Sequence, residues 1–265
     1  MKIAFSTLGV PGISVPDAAR LAAEHGYHGV ELRAHPEEAL HAGSTAEERA
    51  SAVEEFKAAG VEILGVAGYA KVAAAGDDAP VEAELRELVA LARDLGAPYV
   101  RVFPGADGAP REEADATAAR RLGAVAPVAA DSGVRVLLET HDSHRTGADA
   151  ARVLGPVGHR NVGALWDVMH TWLGGEDPES TYAVLSPHLG YVQVKDIASA
   201  DDIAPVPLGA GVLPLAETLE LLSREGWDGW LCWEYEKRWH PDAPALPALL
   251  TAGREHLLRL LTESA

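Results

Sequence analysis

The chain has 265 residues, 48% hydrophobic and 23% charged, the balance of a globular protein at about the length of one barrel domain. Its formal net charge of −18 excludes the basic surface that nucleic acid or an anionic membrane would need. The single Cys232 excludes an intrachain disulfide and fits a reducing cytoplasm, and no run is long and apolar enough to span a membrane.

Lys2–Leu8 is apolar and reads as a first strand. It lacks the long h-region and cleavage site of a signal peptide. Ser14, Pro16 and Asp17 start a helix over Asp17–His25, which Gly26 stops before a strand at Gly29–Arg33. The unit then repeats. Helix Thr45–Ala59 leads to strand Val61–Gly68, and helix Pro80–Leu95 to strand Tyr99–Phe103. Helix Arg111–Asp131 leads to strand Val134–Glu139, and helix Gly147–Leu154, stopped at Gly155, to strand Val162–Asp167. Helix Pro178–Leu185 leads to strand Gly190–Val194, helix Pro214–Glu225 to strand Gly229–Glu234, and a last helix covers Ala245–Leu261. Eight such units, about 30 residues apart, predict a single-domain α/β protein, a (β/α)8 TIM barrel over residues 1–265. A doubly wound fold would need a Gly-rich phosphate turn after the first strand, and Leu8-Gly9-Val10-Pro11-Gly12 is not one. The longest irregular stretch, Lys195 to Pro214, is expected to be a loop beside the site.

The last four strands each deliver an oxygen-bearing side chain at or near their ends: Glu139, Asp167, Gln193 and Glu234. In a parallel barrel those ends share one face, so residues 95 positions apart can meet there. A lone Glu at a strand end is usually a solvated cap; the case rests on four in register. Three carboxylates and an amide, packed together, would repel or bind protons without a cation. All-oxygen ligation favours one divalent ion, Mn²⁺ or Mg²⁺ ahead of Co²⁺ or Zn²⁺. Such an ion would hold adjacent oxygens of a hydroxy-carbonyl substrate and stabilise the enediolate formed when Glu139 or Glu234 removes a proton. His170, His141, Lys195, Arg101, Glu31 and Trp166 are the expected substrate contacts, with plain loop, salt-bridge or core roles as their alternatives. Trp172, Trp233 and Trp239 lie near the same face, and Trp in a barrel is more often core.

At these residues the chain resembles the xylose isomerase-like TIM-barrel superfamily, in its sugar phosphate isomerase/epimerase branch. The matching stretches are GVELR (29–33), YVRVFPG (99–105), LLETHDS (137–143), ALWDVMH (164–170), VQVKD (192–196) and the run from Leu208 to Glu236. The resemblance implies that Glu139, Asp167, Gln193 and Glu234 bind one divalent metal, that the two Glu residues transfer protons, and that His170 touches substrate. It also maps a Lys-Asp pair onto Lys195 and Asp196. Many epimerases of the family have His where Gln193 stands, whereas hydroxypyruvate isomerase-like members have Gln. The three-zinc endonuclease relatives need further histidines, and residues 195–214 contain none.

The expected function is therefore a cytoplasmic metal-dependent isomerase or epimerase of a sugar, ketose, inositol ketone or small hydroxy-carbonyl compound. A lyase or dehydratase using the same first proton transfer, and a non-catalytic metal- or carbohydrate-binding barrel, are the rival readings. The expected partner is a small carbohydrate-like molecule. A phosphate cradle at Leu208-Gly209-Ala210-Gly211 is weak beside Asp201 and Asp202, so a non-phosphorylated substrate is expected. Self-association, through Trp239 or the last helix, is left open by the sequence.

Overall fold

Strict alternation along short strands sets the architecture of this computed structural model, which describes residues 1–263. The elements are β1 (Lys2–Ser6), α1 (Val15–Glu24), β2 (Gly29–Arg33), α2 (Ala46–Ala59), β3 (Glu62–Lys71), α3 (Asp78–Leu95), β4 (Tyr99–Phe103), α4 (Arg111–Asp131), β5 (Arg135–Glu139) and α5 (Gly147–Val157). They continue as β6 (Val162–Asp167), α6 (Val168–Leu173), α7 (Pro178–Leu185), β7 (Leu189–Val194), β8 (Ile197–Ser199), β9 (Asp202–Pro205), α8 (Leu215–Arg224), β10 (Trp230–Trp233) and α9 (Leu250–Glu263). Eight strands close a parallel barrel in the order β1-β10-β7-β6-β5-β4-β3-β2. The expected (β/α)8 barrel is what forms. Among the described residues, no helix is long and apolar enough to cross a membrane.

Side chains of a strand alternate between the barrel interior and the layer under the helices. Ala4, Leu64, Leu137, Leu165, Tyr191, Trp230 and Cys232 make the apolar plug inside. Ile3, Phe5, Val30, Val100, Val136, Leu138, Trp166, Val192, Leu231 and Trp233 face outward onto helix residues such as Leu85, Leu122, Val153 and Leu219. One inward step beyond the plug, five strands change from apolar to polar: Tyr99 is followed by Arg101, Leu137 by Glu139, Leu165 by Asp167, Tyr191 by Gln193 and Cys232 by Glu234. Register aligns them, with Asp167 opposite Gln193 and Gln193 opposite Cys232.

The same parity corrects one expected site residue. Trp166 lies between inward Leu165 and inward Asp167, so it points away from the barrel mouth. It is fully buried and donates its indole N–H to Thr171 Oγ1 at 2.9 Å. It cannot touch substrate.

Local chemistry explains the element ends. Thr45 and Glu48 form a capping box on α2, as Thr146 and Asp149 do on α5. Gly26 and Gly226 sit at φ 72° and 68°, the left-handed turn expected of the two matching αβ junctions. Helix α5 runs past Gly155 to Val157 and stops at Gly158 instead, because Gly158 adopts the left-handed cap. Two features escaped the sequence pattern. The short α6 follows β6 directly, and the Lys195–Pro214 stretch contains the antiparallel pair β8–β9.

That stretch is pinned by Asp196. Its buried carboxylate accepts backbone N–H bonds from Ile197 (3.1 Å), Gly209 (3.0 Å), Gly211 (2.9 Å) and Leu213 (3.1 Å). A Cβ on Gly211 would come within 2.2 Å of Ile197 O and 2.3 Å of Asp196 Oδ1, so only Gly lets the chain wrap so closely. Removing the acceptor strands several buried donors. Asp196→Ala is expected to cost about 3 kcal/mol in urea unfolding and Asp196→Asn less, because one amide oxygen remains; a loss below about 1 kcal/mol would contradict the role.

Candidate metal centre and active site

The polar layer at the barrel mouth is built from six buried side chains. Glu139 (1% exposed), Asp167 (0%), Gln193 (0%) and Glu234 (4%) come from β5, β6, β7 and the residue after β10. Glu31 and Arg101 come from β2 and β4. Carboxylate oxygens of Glu139, Asp167 and Glu234 all lie within 4.8 Å of one another. The structure thus brings together the three acids that the sequence placed in one ring, with Gln193 beside them.

Asp167 is held by two demands. As N-cap of α6, its Oδ1 accepts from Met169 N at 2.8 Å and His170 N at 3.3 Å. That fixes the carboxylate plane and commits one oxygen, leaving Oδ2 for the ring. Lys195 Nζ lies 2.7 Å from Asp167 Oδ2, contacts Glu234 Oε2, and sits 2.8 Å from Glu236 Oε1. Arg101 Nε lies 3.1 Å from Glu139 Oε2, and its Nη2 lies 3.9 Å from Glu234 Oε1. These two contacts with Glu139 and Asp167 are ionic without hydrogen-bond alignment: Glu139 Oε2 and Asp167 Oδ2 accept no directed hydrogen bond, and neither does Gln193 Oε1. Gln193 Oε1 is thus left without a partner, and Glu139 Oε2 and Asp167 Oδ2 hold only ion-pair contacts. Buried acceptors are rarely left so, and a divalent ion would satisfy them. The donor set fits such an ion. A second cluster shares Glu139: its carboxylate and the rings of His141 and His170 also offer atoms within 4.8 Å.

Electrostatics follow from burial. Desolvation pushes the Glu139 carboxyl up to about 8, against the pull of Arg101 and His141 and with help from Glu234 and Asp167. Desolvation raises Glu31 too, and the Glu234 charge adds to it. Burial alone would lower Lys195, but the carboxylates of Asp167, Glu234 and Glu236 together hold its ammonium well above the ordinary lysine range. For His141, burial is likewise outweighed, by the Asp142 hydrogen bond at 3.2 Å and by Glu139, so its ring is raised. His170, its ring centroid 4.1 Å from that of His141 at a tilt of 58°, is pushed well down by burial, His141 and Lys195.

Above the ring opens a cavity of about 440 Å³. Glu139, Glu234, Arg101, His141 and His170 reach it from the ring, and Tyr69, Phe103, Met169, Ile203, Trp239 and Leu8 form an apolar wall. A larger hollow of about 600 Å³ lies by Trp172 and Glu217, away from the carboxylates, and none of the ring residues lines it. Of the expected substrate contacts, Arg101, His141 and His170 line the cavity. Glu31 does not: it lies beneath, bound to Tyr191 and Gln193. Lys195 is also held under the surface by its three carboxylates. The loop Leu208–Gly211 offers no phosphate cradle, because Asp196 already takes the amides of Gly209 and Gly211. Sequence reasoning missed Tyr69 and Glu236. Period two would have reached both, since β3 runs on to Lys71 and Glu236 repeats the inward face of Glu234.

The description "xylose isomerase-like TIM barrel" matches residues 19–259. The chain belongs to that family. It is 26% identical over 195 residues to 3-dehydroshikimate dehydratase of Bacillus anthracis, covering 71% of this chain and 69% of that protein. Its fold matches D-psicose 3-epimerase with D-tagatose from Clostridium cellulolyticum H10 at TM-score 0.84, with 16% identity over 98% of this chain and 99% of the other. It also matches the IolI protein with a bound zinc atom at TM-score 0.83, with 17% identity over 100% and 99%. These two structures share the fold.

A carboxyl raised by burial binds its proton more tightly folded than unfolded. The Glu139 contribution to stability is therefore least unfavourable below pH 4.5 and worsens as pH rises towards 8. In chelator-treated protein, Glu139→Gln is expected to gain stability on the parent, by on the order of 1 kcal/mol or more between pH 5 and pH 8. Denaturant unfolding at the two pH values checks this; a constant difference would contradict it.

Proposed function

We propose that this chain is a cytoplasmic, divalent-metal-dependent isomerase or epimerase of a non-phosphorylated sugar, ketose, inositol ketone or small hydroxy-carbonyl compound. One observation carries the reading: three buried carboxylates from Glu139, Asp167 and Glu234 converge within 4.8 Å beneath a cavity that Glu139 and Glu234 both line. Asp167, Gln193, Glu139 and Glu234 would hold the ion, and their oxygen donors favour Mn²⁺ or Mg²⁺. When bound, a divalent cation supplies Lewis-acid stabilisation of negative charge on the substrate oxygens.

The remaining work falls to side chains. One of Glu139 and Glu234 removes the proton from the carbon beside the carbonyl, and the other returns a proton to the neighbouring carbon or the opposite face. Arg101 reaches both carboxylates, at 3.1 and 3.9 Å, and balances whichever is ionised. Glu139 lines the cavity and keeps one carboxylate oxygen free of directed hydrogen bonds, as a base beside a substrate needs. Lys195 keeps Asp167 and Glu234 in place from below. The cavity suits a small molecule, and Tyr69, Phe103 and Trp239 offer ring faces to the apolar side of a sugar. The occupied amides of Gly209 and Gly211 support a substrate without phosphate.

A second reading, a dehydratase, is favoured by the match to the Bacillus anthracis enzyme and by His141. That ring lines the cavity and is raised by Asp142, so it is suited to protonating a leaving hydroxyl. Both readings begin with the same proton abstraction, and product mass separates them: unchanged for isomerisation, reduced by water for elimination.

Incubation of candidate keto-sugars with Mn²⁺-loaded protein in D₂O is expected to place deuterium on carbon. Glu139→Gln and Glu234→Gln are each expected to lower that exchange by about 1,000-fold while far-UV circular dichroism stays unchanged. Full exchange in either variant would contradict the acid–base assignment.

A further inference from the structure

Gln193 has a choice that His would not have. Its amide carries an oxygen on one side and an NH₂ on the other, and only the oxygen can ligate a cation. Both hydrogens of the NH₂ are taken. Nε2 donates to Glu31 Oε2 at 3.0 Å, with Oε1 of the same carboxylate at 3.3 Å, and to Glu234 Oε1 at 3.1 Å. Flipping the amide would set its carbonyl oxygen against oxygens of Glu31 and Glu234 at the same distances, a repulsion whenever both carboxylates are ionised. The observed orientation is the one that electrostatics permits, and it leaves Gln193 Oε1 buried with no hydrogen-bond partner.

Glu234 has other duties in the ring, whereas Glu31 does not reach the cavity. Glu31 is fully buried and in turn accepts from the Tyr191 hydroxyl, which comes from the inward position one step below Gln193 on the same strand. We propose that Glu31 is a positioning residue: it turns the Gln193 amide so that the oxygen serves the divalent ion, and Tyr191 holds Glu31 to that task. The inference rests on the metal site proposed above. It supplies the condition under which an amide at this position serves as a metal ligand, since a buried acceptor must sit behind it. An imidazole at 193 would not depend on that acceptor to choose between oxygen and nitrogen.

The test is a double-mutant cycle read by Mn²⁺ titration with electron paramagnetic resonance, on full-length parent, Glu31→Gln, Gln193→His and the double variant. A Gln at 31 keeps the volume but can turn its own NH₂ to Gln193 and release the flip. Glu31→Gln is expected to weaken Mn²⁺ binding about 10–100-fold in the parent background and by no more than about threefold when residue 193 is His. Equal losses in both backgrounds would show that Glu31 acts through its charge or through the fold, and would overturn the proposal. So would parent-like binding by Glu31→Gln, or failure of Gln193→His itself to bind, which would mean that position 193 does not face the ion. If the parent takes up no Mn²⁺, the metal site and the inference fall together; if the parent binds and only the cycle fails, the site stands. Tyr191→Phe serves where Glu31→Gln does not fold. It is expected to weaken binding in the same direction, and again only with Gln at 193.

Discussion

Four acids and two bases are buried in one layer of this barrel. Glu31, Glu139, Asp167 and Glu234 face Arg101 and Lys195, and none is more than 4% exposed. An ionised carboxylate taken out of water is costly unless paired, and breaking such pairs is costlier still. With two acids in excess, the layer must take up protons or a divalent cation. Much of the surrounding structure manages this constraint. Asp167 is oriented by capping α6, Lys195 is wedged among three carboxylates, and Arg101 stacks 4.0 Å from the Phe103 ring centroid while bridging two acids. Below, Tyr191, Leu137, Leu165 and Cys232 close the barrel with apolar volume, so water does not reach the ring from that side.

The sequence carried the fold and most of the ring because one rule, alternation with a period of two, produces both. An apolar run ending in Glu139, Asp167 or Glu234 is visible without coordinates, and a closed parallel barrel leaves those ends little choice but to meet. What was not legible needed parity or tertiary partners. Trp166 sits in sequence next to Asp167 and in space on the other face of the strand. Glu31 ends a strand like the others, yet its neighbours Tyr191 and Gln193 lie some 160 positions away, so its support of the amide cannot be read locally. The β8–β9 pair has no strong alternation, and α6 is a single short run whose only signal is the Asp167 cap. Asp196, mapped by resemblance as the second half of a Lys-Asp pair, is a backbone staple.

The family's chemistry branches late. Isomerase, epimerase and dehydratase all require removal of a proton beside a carbonyl, and in the proposed function the ring would supply the base, its counter-charge and the donors for a cation. The outcome depends on what faces the substrate from the cavity wall, where His141, His170 and Trp239 differ in kind from the carboxylates below. On the proposed function the buried ring would carry the shared step and the wall would select the substrate.

The central claim is that the converging oxygens are one divalent-cation site. Metal content of protein purified without chelator, compared with Asp167→Ala, tests it most directly. Asp167 contributes no base to the proposed reaction, so in a variant whose far-UV circular dichroism matches the parent its loss reads on the ion and not on proton transfer. The account predicts about one Mn²⁺, Mg²⁺ or similar ion per chain in the parent and little in the variant. No ion in the parent, even after Mn²⁺ is supplied, or equal content in the variant, would contradict it.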